Sequence, residues 1–188
     1  MSLAHPGHEQ TELECLSTDQ DEIFELLERY DALAADRARA GESKALAEEL
    51  CSLLLVHAAV KEEIFYAALR EVIDEERLID EALVMLDSAR SLMDDIQNGD
   101  PTQPRYDEQV RIQHELVTQH FDEERTQLFA KARASTLDLE KIGGEIAARQ
   151  ELLVRGRGRA LRRVRNARGS HGPGQAPRVQ RPAASAPM

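Results

Sequence analysis

Apolar residues recur every three or four positions along most of this chain, the period of helices that bury one face. Ile23, Leu27 and Tyr30, widened by Phe24 and Leu26, mark the first stripe and predict a helix from about Thr18 to Arg37. The Thr18 hydroxyl can cap its first turn, with Asp21 three residues on completing an acidic variant of the capping box. Gly41 then breaks the chain, and Ser43 can cap a second helix ending near Arg70, with Leu46, Leu50, Leu53, Val60 and Ile64 on its stripe. A third helix from about Leu78 to Gln97 presents Ala82, Leu86, Ala89, Met93 and Ile96. Asn98-Gly99-Asp100-Pro101 and Pro104 interrupt it, and a fourth helix follows from about Tyr106 to Arg133 on Val110, Val117 and Leu128. Ser135 or Thr136 can cap a fifth, reaching about Val154.

Several polar residues interrupt these stripes. His57 occupies the inward series between Leu53 and Val60, and Gln20 lies one step back from Ile23. His120 and Glu124 are four residues apart, which puts both on one helix face a turn from each other. Two readings stand for such residues. They are ligands, since bundle cores build metal sites from side chains on facing helices. Otherwise His57 and His120 are hydrogen-bonded core histidines beside a partly exposed glutamate. His114, six residues before His120, falls on a different face and is expected to be exposed.

A chain of 188 residues can bury a core without disulfides or structural metal, and one domain is expected. Aromatic content of 4%, no tryptophan and abundant Leu, Ala, Glu and Arg point to an all-α protein. Short connections favour an up-down-up-down antiparallel four-helix bundle with a fifth, C-terminal helix laid against its end. Only Cys15 and Cys51 are present, no signal-peptide pattern opens the chain and no apolar run would span a membrane, so a cytoplasmic protein is expected.

Charge divides the chain. The formal net charge is −11, but from Glu151 onward nine arginines face one acidic residue, leaving the part before it at −19. The expected organisation is a flexible leader over 1–12, a bundle over 13–154 and a disordered Arg/Gly/Pro-rich basic tail over 155–188. An acidic bundle argues against nucleic acid binding by the helices, whereas Arg155 to Arg168 can contact polyanions weakly or fold onto the acidic body.

The stretches Asp19 to Leu33, Leu55 to Arg70, Leu78 to Arg90 and Tyr106 to Arg133 resemble the hemerythrin-like HHE cation-binding domain, over about Leu13 to Leu153. That resemblance implies a four-helix bundle in which histidines and carboxylates from all four helices hold a non-haem di-iron centre, used to bind oxygen or to sense oxygen, nitric oxide or iron. His57, His120 and Glu124 match the ligand pattern it implies. Where the pattern has a histidine after Asp19, this chain has Gln20; where it has a carboxylate four residues after His57, it has Lys61; where it has Glu-His on the third helix, it has Met85-Leu86. Leucine offers no lone pair, and an ammonium removes a donor and repels a cation.

The expectation is therefore a non-enzymatic hemerythrin-like scaffold, sensor or partner-binding module that has lost the di-iron site, with no cofactor, with Lys61 serving Glu124 as counter-ion in place of metal and with His57 and His120 as hydrogen-bond partners of Glu124. The first alternative is a single metal ion held by His57, His120 and Glu124, helped by Glu62, Glu123 or water, for metal storage or for sensing oxygen or iron. The second is polyanion binding by the tail. An unidentified protein partner is compatible with each. No P-loop, dinucleotide fingerprint, zinc-knuckle spacing or nucleophile elbow is present.

Overall fold

The computed structural model describes residues 13–34 and 36–169, all helix and connection, with no strand among them. Helix α1 spans Glu14–Ala34. A 3-10 turn, Arg37–Arg39, leads into α2, Ala40–Val60, which passes without interruption through a π-helical turn, Lys61–Tyr66, into the short α3, Ala67–Arg70. Helix α4 is Glu76–Asn98, and α5, Pro104–Glu123, likewise passes through a π turn, Glu124–Leu128, into α6, Phe129–Ala134. Helix α7 is Leu139–Gly169.

The chain divides into two units, Met1–Leu153 and Val154–Met188. In the first, α1 packs on α2 and α5, and α4 packs on α2 and α5, so the four long helices close a ring. The short connections 71–75 and 99–103 reverse the chain between neighbours, giving the antiparallel bundle. Leu139, Ile142 and Ile146 of α7 are buried against Leu16, Phe65, Leu69 and Phe129 at one end.

Departures from the sequence reading have local causes. Helix α1 starts at Glu14, a turn before Thr18, because Leu13 and Leu16 are buried and extend the apolar stripe backward. It ends at Ala34, short of Arg37. Gly41 does not break the chain: it lies in the first turn of α2, and Ser43 turns its hydroxyl back to the Ala40 carbonyl at 3.0 Å and caps nothing. On α2 the buried position is Leu54, with Leu53 half-buried, as is Ile64. Helix α7 opens at Leu139 with Asp138 accepting from the Lys141 backbone N–H at 3.0 Å, while the Ser135 hydroxyl satisfies the Ala132 carbonyl at the end of α6.

The sequence reading also expected disorder from residue 155, and the helix continues to Gly169. Arginine, alanine and leucine propagate helix well once a nucleus exists, and the already formed turns of α7 supply it. The expected leader, 1–12, and the tail beyond Gly169 lie outside the described residues. Among the described residues no helix is long and apolar enough to cross a membrane.

Gly99 is required by packing. A Cβ there would lie 2.8 Å from the Tyr106 ring, and Lys44 Nζ donates to the carbonyls of Gln97 and Gly99 while lying over that ring. The core falls into two apolar clusters. One, around Leu16, Phe65, Tyr66, Leu69, Ile79 and Phe129, lies toward α7, and the other, around Ile23, Leu27, Leu50, Met93, Ile96 and Val117, lies away from it. Along each helix the stripe passes from one cluster to the other at the level of Gln20, His57, Lys61, Leu86, His120 and Glu124.

Gln113 is fully buried, and neither its amide nitrogen nor its amide oxygen has a partner among the described residues. An unpaired buried amide costs about 1–3 kcal/mol. The near-isosteric Gln113→Met should therefore raise the free energy of unfolding by about that amount, read as an increased urea midpoint at unchanged slope.

Candidate functional site

All six inward positions singled out in the sequence are buried: Gln20, His57, Lys61, Leu86, His120 and Glu124. Four of them, Gln20, Lys61, His120 and Glu124, form one hydrogen-bonded network. Lys61 Nζ, fully buried, lies 3.0 Å from Glu124 Oε2 and 2.8 Å from His120 Nε2. Glu124 Oε2 also accepts from Gln20 Nε2 at 2.7 Å, and Glu124 Oε1 accepts from the Tyr66 hydroxyl at 2.8 Å. Gln20 is oriented in turn by Arg125, whose Nε donates to Gln20 Oε1 at 2.5 Å while its Nη2 donates to Asp21 at 2.6 Å.

The backbone places these groups. Lys61 begins one π turn and Glu124 the other. A π turn inserts one extra residue per turn and shifts every later side chain around the axis, and such turns concentrate at functional sites. By this shift Lys61 and Tyr66, five apart, both reach Glu124.

Proton positions follow from the partners. An ammonium carries donors only, so His120 Nε2 accepts from Lys61 and the ring proton sits on Nδ1. Burial, and then the Lys61 charge, bring the His120 pKa down to about 3, so the imidazole is neutral at pH 7. Burial likewise pushes the Lys61 ammonium down, only partly offset by Glu124. For Glu124 burial acts upward, but the Lys61 ammonium leads the groups that hold the carboxyl below its usual range. Burial beside Glu124 pushes the Tyr66 hydroxyl well up, leaving it a donor.

His57 does not join this cluster. Its Nδ1 lies 3.2 Å from Asp19 Oδ2, which also accepts from Gln150 of α7. The sequence reading made His57 a hydrogen-bond partner of Glu124, and that is corrected: the ring turns toward the neighbouring carboxylate on α1. Burial, and then Lys61, lower its pKa, so the neutral ring donates from Nδ1 and leaves Nε2 as a lone pair without a partner among the described residues. The helpers invoked for a single metal ion are engaged elsewhere. Glu62 receives both arms of Arg90 at 2.6 and 2.5 Å, and Glu123 accepts from Gln119 at 2.9 Å. His114 is half-buried rather than exposed, 3.1 Å from Asp31. Leu86 fills the side contributed by α4, with Met85 half-buried beside it. His57 and His120 line an apolar cavity of about 20 Å³, room for one water. Among the described residues no group of three or more His, Cys, Asp or Glu side chains is arranged to hold a metal ion.

No protein-family model and no curated protein matches this chain. Among solved structures, a hemerythrin HHE cation binding domain-containing protein from Mycobacterium kansasii aligns with a TM-score of 0.65 at 23% identity, over 81% of this chain and 90% of that one. The fold is hemerythrin-like. Within this hemerythrin-like bundle, sequence reasoning found the inward polar positions but not Tyr66, Arg125 or Gln150. Tyr66 reads as one more apolar-stripe aromatic, and nothing in local spacing tells that the exposed-face Arg125 turns in toward α1.

Removing one partner of a buried ion pair leaves an uncompensated charge, at a cost of about 3–5 kcal/mol. Lys61→Met should destabilise the fold by about that amount, and adding Glu124→Gln should recover a substantial part, as a double-mutant cycle in urea would reveal. An unchanged melting curve for Lys61→Met from pH 5 to 9 would refute the ion-pair assignment.

His120 also links stability to pH. Its folded pKa of about 3 lies below the ordinary 6.5, so as pH falls below 6.5 the unfolded chain takes up a proton that the fold resists. This contribution is fully present above pH 6.5 and should shrink by about 3 kcal/mol on going from pH 6.5 to 4. The ¹³Cε1 resonance of His120 should stay flat between pH 8 and 5, and an inflection near 6.5 would contradict this.

Proposed function

We propose that this hemerythrin-like bundle has given up a di-iron centre and acts, without catalysing a reaction, as a scaffold, sensor or partner-binding module. One observation supports the reading: Lys61 Nζ lies between two of the three remaining candidate donors, 2.8 Å from His120 Nε2 and 3.0 Å from Glu124 Oε2. An ammonium there satisfies the charge that a metal would otherwise balance, and it repels any cation approaching the same lone pairs.

The residues present do not fit a di-iron centre. Such a centre enlists about five or six donors per iron. Here Gln20 points its NH₂ at Glu124, Leu86 offers no lone pair, and His57 faces Asp19. A single ion fits no better, since His120 and Glu124 already spend their inward acceptors on Lys61. Cation binding is named for the similar Mycobacterium kansasii protein. In this chain the same layer of the bundle is closed by its own cation, and the cavities beside it admit only a water-sized molecule.

Metal analysis of full-length protein purified without chelator tests the reading. Well under one iron or zinc per chain is expected for the native sequence, and increased occupancy for the triple variant Gln20→His, Lys61→Glu, Leu86→His. Two irons per chain in the native protein would overturn it.

A further inference from the structure

The cluster around Glu124 holds an unused chemical capacity: a primary amine, a carboxamide and a carboxylate touching both nitrogens, in a buried site. Gln20 and Lys61 are fully buried and Glu124 nearly so. Glu124 Oε2 accepts at once from Lys61 Nζ, at 3.0 Å, and from Gln20 Nε2, at 2.7 Å. The two nitrogens therefore lie on one oxygen, within its hydrogen-bonding radius on either side. The amide orientation is fixed by chemistry, since the NH₂ must face the carboxylate and the carbonyl must face the guanidinium of Arg125.

We propose that Lys61 and Gln20 are the precursors of an intramolecular isopeptide bond, which the folded protein forms between Lys61 Nζ and Gln20 Cδ with Glu124 as proton carrier. In the first step a proton passes from Nζ to Glu124 Oε2, which removes two opposite charges from a buried site that disfavours both. The neutral amine then adds to Gln20 Cδ. The developing oxyanion on Gln20 Oε1 already receives the Arg125 Nε–H at 2.5 Å, a charged donor aimed at the atom that gains negative charge. Glu124 returns its proton to Gln20 Nε2, the Cδ–Nε2 bond breaks, ammonia leaves, and Glu124 takes a second proton from Nζ. Of the three protons on the Lys61 ammonium, one stays on the new amide, one departs on ammonia and one remains on Glu124. No oxidant, nucleotide or metal enters the balance.

The roles separate cleanly. Lys61 is the nucleophile and Gln20 the electrophile. Glu124 touches both reacting nitrogens, and His120 Nε2, 2.8 Å from Nζ, holds the amine in place as a second acceptor. The Gln20 carbonyl is the electrophile because a cation polarises it, whereas among the described residues no cationic donor other than the amine itself reaches the Glu124 carboxyl. The product ties α1 to the π turn after α2 through the centre of the bundle.

Intact-mass measurement on the denatured full-length protein, held folded at neutral pH over days, tests the proposal. A species lighter by one ammonia should accumulate, and fragmentation of a digest should show one peptide pair joined through Gln20 and Lys61. Lys61→Arg, which keeps the cation and removes the primary amine, should hold the full mass. Gln20→Met, which removes the electrophile and keeps both charges, serves the same purpose if Lys61→Arg does not fold. Native protein that stays at full mass would overturn the proposal. So would an ammonia loss that persists in the folded variant, or one that maps to Asn98–Gly99, where cyclisation of the asparagine releases the same molecule.

Discussion

Lys61 and Glu124 carry opposite charges into a buried layer between leucines and aromatics, and neither could be there without the other. Desolvating either charge alone is prohibitive, so the arrangement persists because each charge is met by the other and by further hydrogen bonds. Glu124 receives three donors, Lys61 gives to two acceptors, and His120 is forced into one tautomer. The constraint reaches outward: Gln20 must turn its NH₂ inward, so its carbonyl needs Arg125, and Arg125 is steadied by Asp21 and the Ser17 carbonyl.

This layer divides the core in two. On the side of α7 the bundle is closed by Phe65, Leu69, Phe129 and Ile142, and on the other by Leu27, Leu50, Met93 and Ile96. Apolar packing of this kind is tolerant of register, since one leucine contact resembles another. A directed polar layer between two such clusters is not. It admits one axial alignment of four helices, and the π turns at Lys61 and Glu124 provide the rotation that the alignment needs. The same fold in the Mycobacterium kansasii protein, at 23% identity, shows that the bundle tolerates wide change in sequence.

Much was legible in the residues themselves. The stripe of α4, Ala82 to Ile96, is buried as the period required, and Gln20, His57, Lys61, His120 and Glu124 all stand on inward faces. What local pattern missed arises from long-range packing. Leu13 and Leu16 lengthen α1 only because the end of the bundle covers them. Gly41 sits within a helix because its turn is open to solvent and demands no side chain. The helix beyond residue 155 is carried by turns already formed, which a window of composition cannot see.

By itself the sequence determined the helices, their inward faces and the chemical inventory of the central layer, because helical period and side-chain type are local properties. Which of those groups meet was decided by tertiary structure. His57 turns to Asp19 rather than Glu124, Tyr66 reaches Glu124 through a π turn, and Arg125 crosses to Gln20, a residue more than a hundred positions away. Hydrogen bonds are made within about 3 Å and in a set direction, and only the assembled bundle fixes distances and directions between helices to that precision.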